Sequence, residues 1–392
     1  MEETPRDLHE RQGEPSTPST RSPRAFSARL AKRRRVSASL QVTVGSLRLK
    51  NPIIAAPAEH MIDAAGVRAA IRAGAGAVVV KSTNESEAAK DQLQRAEYVA
   101  LDAEWRPVPW RADAPRAVTL ATRSGLTPQP FEEWLDQTVA LDRLARAEDA
   151  LLVPSLILGG LDAALDMARR IEAAGLRVLE FNIGTPYASQ AAKGAVSTEL
   201  SPERVAEIVG RLREAVSVPI WIKITGQSER VPDLAEAAFG AGAQSVVMAG
   251  RLLGLVPDLD SFEPMLGTSL GVGGYWNLPL TCHWLALSRA RLGPSAPLIG
   301  INGAQDGLDV ARMMLAGASA VGIASAVMLR GYGVISESIE QLGSYLSAKG
   351  VTAAEIIGRA ADRRRSFADM PLRTDHWRDF IPSTTGSKTS ED

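Results

Sequence analysis

Short runs of apolar residues alternate with longer amphipathic stretches along most of this chain. The runs fall at 52–57, 77–80, 117–120, 150–155, 178–183, 219–224, 244–249, 297–301 and 319–324. Runs of this length with no alternating polar face read as strands buried on both sides, the habit of a parallel sheet. Between most of them, Ala-rich segments with helical spacing of apolar positions predict helices over about 63–73, 131–147, 161–174, 202–215, 231–240, 279–291, 305–315 and 334–348. Several end at a glycine (Gly74, Gly175, Gly242, Gly317, Gly350), as left-handed C-caps do. Ahead of the first run, Leu40 to Val44 and Leu47 to Leu49 alternate on either side of Gly45-Ser46, which predicts a small hairpin.

Nine runs against eight helices leave one run over, and the short 117–120 segment is the one expected outside the main sheet. The alternation predicts an α/β fold, a (β/α)8 TIM barrel. A doubly wound sheet is the competitor, but no run leads into a G-x-G-x-x-G turn and the runs do not divide into two halves. Two longer interruptions, 84–116 and 250–278, follow strands and read as lids or substrate walls. Residues 1–38, rich in Pro, Ser, Thr and charge, and residues 381–392 predict disordered tails around a barrel domain at 39–380. The first tail carries a basic block, Arg21 to Arg35; early acids such as Glu2, Glu3 and Asp7 argue against a transit peptide and for a solvated tail.

The polar residues cluster where the runs end. Residues 178–187, VLEFNIGTPY, break from apolar to polar at Asn182; Ile53 to Pro57 ends in Ala58-Glu59-His60, Ala77 to Val80 in Lys81-Ser82-Thr83, and Ile220 to Ile222 in Lys223. In parallel α/β folds that rim is where ligands bind. A buried lysine at a strand end needs an anionic or accepting partner, since an unpaired buried ammonium costs several kcal/mol. A plain salt bridge would also meet that need.

Composition narrows the reading further. The chain has 44 Lys and Arg against 45 Asp and Glu, so no global field points to nucleic acid or to a membrane surface. A single cysteine, Cys282, excludes an internal disulfide framework and an iron–sulfur cluster, and four histidines, with His9 in the tail, give little support to a metal site. No stretch approaches the roughly 20 apolar residues of a membrane span, so a cytoplasmic protein is the expectation.

Taken in order, Asn51-Pro52, Gly74 to Ser82, Glu180-Phe181-Asn182 before a Pro loop, Ile222 to Thr225 and Ala316 to Val321 resemble the dihydroorotate dehydrogenase family. They are also similar to the flavin barrel of dihydropyrimidine dehydrogenase, and the likeness covers about residues 40–360. The resemblance implies FMN at the carboxyl rim of the barrel and hydride transfer with a C–C or C=C bond. On that basis Lys223 stabilises charge on the reduced flavin, and Lys81 and Ser82 approach it near the substrate. Ala55, Ala56 and Ser155 fit beside the flavin, though core packing would explain them equally. The loops with Asn302-Gly303 and Ala324-Ser325 take the phosphate, Asn302 standing where the family has a glycine.

In the family the proton carrier is a Cys or Ser on the loop after Asn182, and here Thr185 occupies that place. Tyr187 is its rival, and a structural Thr-Pro turn is the third reading. Asn182 survives of the asparagines that hold a pyrimidine. Other family positions differ: Ala249-Gly250-Arg251 replaces a polar pair, and Gly273-Gly274-Tyr275-Trp276-Asn277 replaces a Gly/Ser loop, where Gly274 is expected at the cofactor. Lost pairing groups predict a small polar substrate other than dihydroorotate, with Glu59, Asn182, Tyr187, Arg251 and Trp276 as candidate contacts. The implied enzyme is an FMN-dependent oxidoreductase acting on CH–CH groups, with an unidentified electron acceptor; similar proteins are commonly homodimers. A flavin-free lyase or aldolase using Lys81 or Lys223 as an amine, and a non-catalytic barrel subunit, are the alternatives.

Overall fold

The computed structural model describes residues 38–184, 201–250 and 252–380. The expectations for the two tails, and those for Thr185, Tyr187 and Arg251, fall outside the described residues.

The predicted barrel is present. Its strands are β1 (Ile53–Ala55), β2 (Ala77–Val79), β3 (Leu151–Val153 continued by Ser155–Ile157), β4 (Leu179–Asn182), β5 (Ile220–Lys223), β6 (Ser245–Met248), β7 (Leu298–Ile301) and β8 (Ala318–Ile323). Each pairs in parallel with the next, and β8 returns to β1 through Val321 opposite Ile53. The two pieces of β3 form the two ends of a nine-segment sheet, one piece paired with β2 and the other with β4. Because Pro154 alone separates them, they are one strand, and the sheet closes on itself.

Pro154 also corrects an expectation. The apolar run was read as ending at Ser155, which placed Ser155 at the rim; the strand continues to Ile157, so Ser155 lies within the wall, fully buried. Proline removes one donor but leaves its carbonyl, which accepts from the amide of Glu180 at 2.9 Å, and the next residues bond to Thr83. The ladder therefore survives the interruption.

Helices α1 (Ala64–Arg72), α2 (Phe131–Ala147), α3 (Leu161–Ala173), α4 (Pro202–Ala215), α5 (Val231–Gly240), α6 (Leu278–Leu292), α7 (Gly307–Leu315) and α8 (Gly333–Lys349) follow the strands. Their starts follow from local chemistry. Asp63 accepts from the Gly66 amide, Ser201 from the Arg204 amide with Pro202 behind it, and Asp306 from the amides of Leu308 and Asp309. At Gly317 the chain turns out of α7 with φ 122°, where a Cβ would be strained and would sit 3.0 Å from Arg289 Cδ. Among the described residues no helix is long and apolar enough to cross a membrane.

The predicted hairpin forms from Val42–Val44 and Leu47–Leu49. The surplus run lies outside the barrel, as Thr119–Arg123, the middle strand of a five-stranded antiparallel sheet. That sheet draws Glu97–Leu101 and Pro107–Val108 from the first long interruption, and Leu252–Gly254 and Leu270–Gly274 from the second. Both interruptions thus become one structure beside the carboxyl ends of the barrel strands.

Asn51 ties the entry of β1 to the end of α1: its amide donates to Gly74 O at 2.8 Å and its oxygen accepts from the Ile53 amide at 3.1 Å. Asn51→Ala would leave both backbone groups unpaired in a buried place, a loss of about 1–3 kcal/mol. A urea unfolding midpoint equal to that of the wild type would refute this anchoring role.

Candidate functional site

The carboxyl ends of the barrel strands and the antiparallel sheet enclose one cleft with about 1210 Å³ of empty space, part of it open to solvent. From the barrel come Ala56, Glu59, Lys81, Ser82, Asn182, Lys223 and Thr225, and from the loops after β7 and β8 come Asn302, Gly303, Ala324 and Ser325. Leu120, Thr122, Gly271, Val272 and Gly273 of the antiparallel sheet form the opposite wall.

Ten of the residues singled out in the sequence therefore share one cavity: Ala56, Glu59, Lys81, Ser82, Asn182, Lys223, Asn302, Gly303, Ala324 and Ser325. Ala55, Ser155, Gly274 and Trp276 do not line it. Ala55 is buried in the barrel core. Of the pair Gly273-Gly274 it is Gly273 that lines the wall, and its missing Cβ would approach Asn302 Oδ1 to 2.7 Å; Gly274 instead lies over Val118 O. Trp276 donates its indole N–H to Thr119 Oγ1 at 3.0 Å and packs against the antiparallel sheet. Thr225, which also lines the cleft, was not singled out as a site residue; it lies two residues beyond Lys223, just past the end of β5.

Beneath the cleft runs a buried polar chain. Ser155 donates to Glu180 Oε1 at 2.8 Å, and because its one hydrogen is spent there, the 2.8 Å contact between Ser82 Oγ and Ser155 Oγ has Ser82 as donor. Glu180 is 2% exposed, and its Oε1 lies 3.8 Å from Lys223 Nζ. Four successive strands or strand ends, β2 to β5, each contribute one group. Lys223 is thus ion-paired from below and open to the cleft above.

Lys81 is held differently. Its ammonium donates to Glu59 Oε1 at 2.9 Å, its amide N–H to Met61 O at 3.0 Å, and its carbonyl accepts from Trp134 Nε1 at 3.1 Å. Burial on its own would raise the Glu59 pKa; the Lys81 charge, with hydrogen bonds from Lys81 and Tyr98, outweighs it and holds the carboxyl below 4.5. Neighbouring His60 does not line the cleft. Among the described residues both of its ring nitrogens are buried without partners, while its carbonyl accepts from the Tyr332 hydroxyl at 2.7 Å. Burial lowers its pKa from 6.5 to about 4, against a smaller upward pull from Glu59.

At the other end of the cleft the loops after β7 and β8 approach one another. Asn302 adopts φ 70° and Gly303 φ 122°, and Gln305 donates to Ser325 Oγ at 3.3 Å across the pair. Asparagine tolerates the left-handed region better than most residues, which explains how it stands in place of a glycine there. Thr281 fixes the turn by donating to Asn302 O at 2.8 Å.

Comparison with known proteins finds similarity to one family. The model of the dihydroorotate dehydrogenase family matches residues 157–346. The chain is 27% identical over 315 residues to the catalytic subunit of dihydroorotate dehydrogenase B (NAD(+)) from Methanosarcina mazei, covering 79% of this chain and 91% of that one. The corresponding subunit of Methanosarcina acetivorans is 28% identical over 80% of this chain and 93% of its own. Dihydroorotate dehydrogenase A (fumarate) of Lactobacillus helveticus is 31% identical over 42% of this chain, a match spanning about half of that protein, 53%.

His60 generates a pH prediction. Its folded pKa is depressed, so below pH 6.5 the unfolded chain takes up a proton that the folded one refuses. Stability is full above 6.5 and falls as pH drops towards 4, by up to about 3 kcal/mol. Glu59, also depressed, loses its contribution only at lower pH, through its own folded pKa. Chemical denaturation between pH 7 and 4.5 is expected to show a flatter profile for His60→Asn than for the wild type; parallel profiles would remove His60 as the cause.

Proposed function

We propose that this chain, which is similar to the dihydroorotate dehydrogenase family along most of its length, is an FMN-dependent oxidoreductase acting on a CH–CH group of a small polar substrate other than dihydroorotate. The observation that carries this reading is the sharing of one cleft by Lys223 and the two small-residue loops after β7 and β8. Small residues leave room for a ring system over the cleft floor. A methyl at Gly322 would meet Ala56 Cβ at 3.1 Å and Ile301 Cγ2 at 2.7 Å, so glycine and alanine keep that floor low.

When bound, FMN supplies a two-electron acceptor for hydride leaving carbon. Asn302, Gly303, Ala324 and Ser325 would hold its phosphate, with Ser325 as a hydroxyl donor. Lys223 would place its ammonium where negative charge gathers on reduction, with Glu180, itself held by Ser155, within ionic reach below it. Asn182 accepts from the Gly184 amide at 3.1 Å through Oδ1, which points its amide donors the other way, toward cofactor or substrate. Thr185 is proposed as the proton carrier from its place in the sequence, relaying to a water or a polar neighbour, because a hydroxyl's own pKa is far from neutral.

The changed residues around Gly250 and Gly273 support a substrate without the usual pyrimidine contacts. Electrons would leave to a soluble acceptor, oxygen, a quinone or a separate reductase subunit. A flavin-free lyase or aldolase using Lys81 has less support: a Schiff base needs a free amine, and the Lys81 ammonium is engaged by Glu59 at 2.9 Å.

Denaturing release of the bound chromophore with mass identification is expected to give FMN, and a colourless wild type would end this reading. Lys223→Ala should weaken flavin retention or its reduction. Thr185→Ala should keep the colour and slow anaerobic flavin reduction by about 10²-fold or more; an unchanged rate would remove Thr185 as proton carrier.

A further inference from the structure

The charges around the cleft are balanced in a way that bears on what can enter it. Among the described residues that line it, the charged side chains are Glu59, Lys81 and Lys223. Lys223 is offset by Glu180 at 3.8 Å, and on the proposed function its remaining donors serve the cofactor. Lys81 is offset by Glu59 at 2.9 Å. No described cation is therefore left over for a substrate anion.

The Glu59–Lys81 pair cannot readily open to provide one. Glu59 belongs to a short turn, Glu59–Met61, whose backbone is pinned by Lys81 N–H to Met61 O and by the Tyr332 hydroxyl to His60 O. Lys81 is pinned again through Trp134. The side chains are 17% and 9% exposed, enough to face the cleft but too little for water to replace either partner. The wall thus presents a fixed acceptor beside a fixed donor. A carboxylate placed there meets Glu59 as a like charge, whereas an amide offers an N–H to the acceptor and a carbonyl to the donor.

We propose that the substrate is uncharged, that it turns an amide or imide edge toward the Glu59–Lys81 pair, and that Glu59 is the residue that excludes carboxylates. This rests on the reading of the cleft as the substrate site of the proposed oxidoreductase. The specificity follows from Glu59 neutralising Lys81. Removing only the negative member should therefore turn a neutral wall into a cationic one.

Matched pairs that differ only in this group test it: benzamide and benzoate, nicotinamide and nicotinate, orotamide and orotate. Each is titrated into purified full-length protein, with binding read by calorimetry and, where flavin is present, by perturbation of its absorbance. The wild type is expected to prefer the amide member by about tenfold or more, and Glu59→Gln to shift the amide-to-carboxylate ratio toward the carboxylate by a similar factor. Glu59→Gln combined with Lys81→Met, which removes both charges, should lose the gain in carboxylate binding. A wild-type preference for the carboxylate, as a cation from outside the described residues would give, overturns the proposal. So does a ratio that Glu59→Gln leaves unchanged, a gain that persists without Lys81, or failure of both proteins to bind any member. Flavin content is assayed on the same preparations. Protein without FMN sinks the proposed function, and with it the premise that Lys223 is taken, whatever its ligand preference; FMN-loaded protein without the preference sinks this inference alone.

Discussion

A carboxylate buried inside a parallel barrel cannot remain charged alone, and much of this cleft is arranged around that constraint at Glu180. Its side chain is 2% exposed, so the groups that compensate it have to be built into the neighbouring strands. Ser155 on β3 donates to it, Ser82 beyond β2 donates to Ser155, and Lys223 on β5 lies within ionic reach. Closure of the barrel makes this possible, because β3 pairs with β2 on one side and β4 on the other across Pro154. Were β3 to end at the proline, Ser155 would lose its place in the wall and Glu180 its hydrogen bond.

The same chain explains why the two lysines of the cleft are not equivalent. Lys81 makes a direct 2.9 Å bond to Glu59, whereas Lys223 stands 3.8 Å from its carboxylate, beyond hydrogen-bond distance. An ammonium has three donors. One that shares only long-range attraction with its partner keeps its directional bonding for a ligand, while one that is bonded and pinned through its backbone is part of the wall. Lys223 is therefore suited to answer a charge that comes and goes, and Lys81 to present a constant surface.

Much of the barrel was legible because its signals are local. Helix boundaries follow from caps such as Asp63, Ser201 and Asp306, and strand ends from the change between apolar and polar residues at Asn182 and Lys223. Three features were not. Pro154 looks like a terminator in sequence, and only the partners of its flanking residues show that the strand continues. The antiparallel sheet joins Thr119–Arg123 to Leu270–Gly274, segments about 150 residues apart, and no local pattern encodes such a pairing. The choice between Gly273 and Gly274 as the wall residue depends on which one faces Asn302, a matter of register in that same pairing.

These differences in legibility follow the division of labour in the cleft. The floor and many of the polar groups that line the cleft sit on barrel strands or their ends, whose positions are fixed by a closed hydrogen-bonded cylinder and by a core in which Phe181, Trp221 and Ile222 are almost wholly buried. The opposite wall rests on a sheet built largely from two insertions, held to the barrel by side-chain contacts such as Gln227 to the Leu253 backbone and Trp110 to the Met328 carbonyl. Substitutions in that sheet can reshape the space offered to a substrate without disturbing β1 to β8. The Glu59–Lys81 pair is the exception, a specificity element anchored in the barrel itself, so a change of substrate charge requires a change in the rigid half of the site.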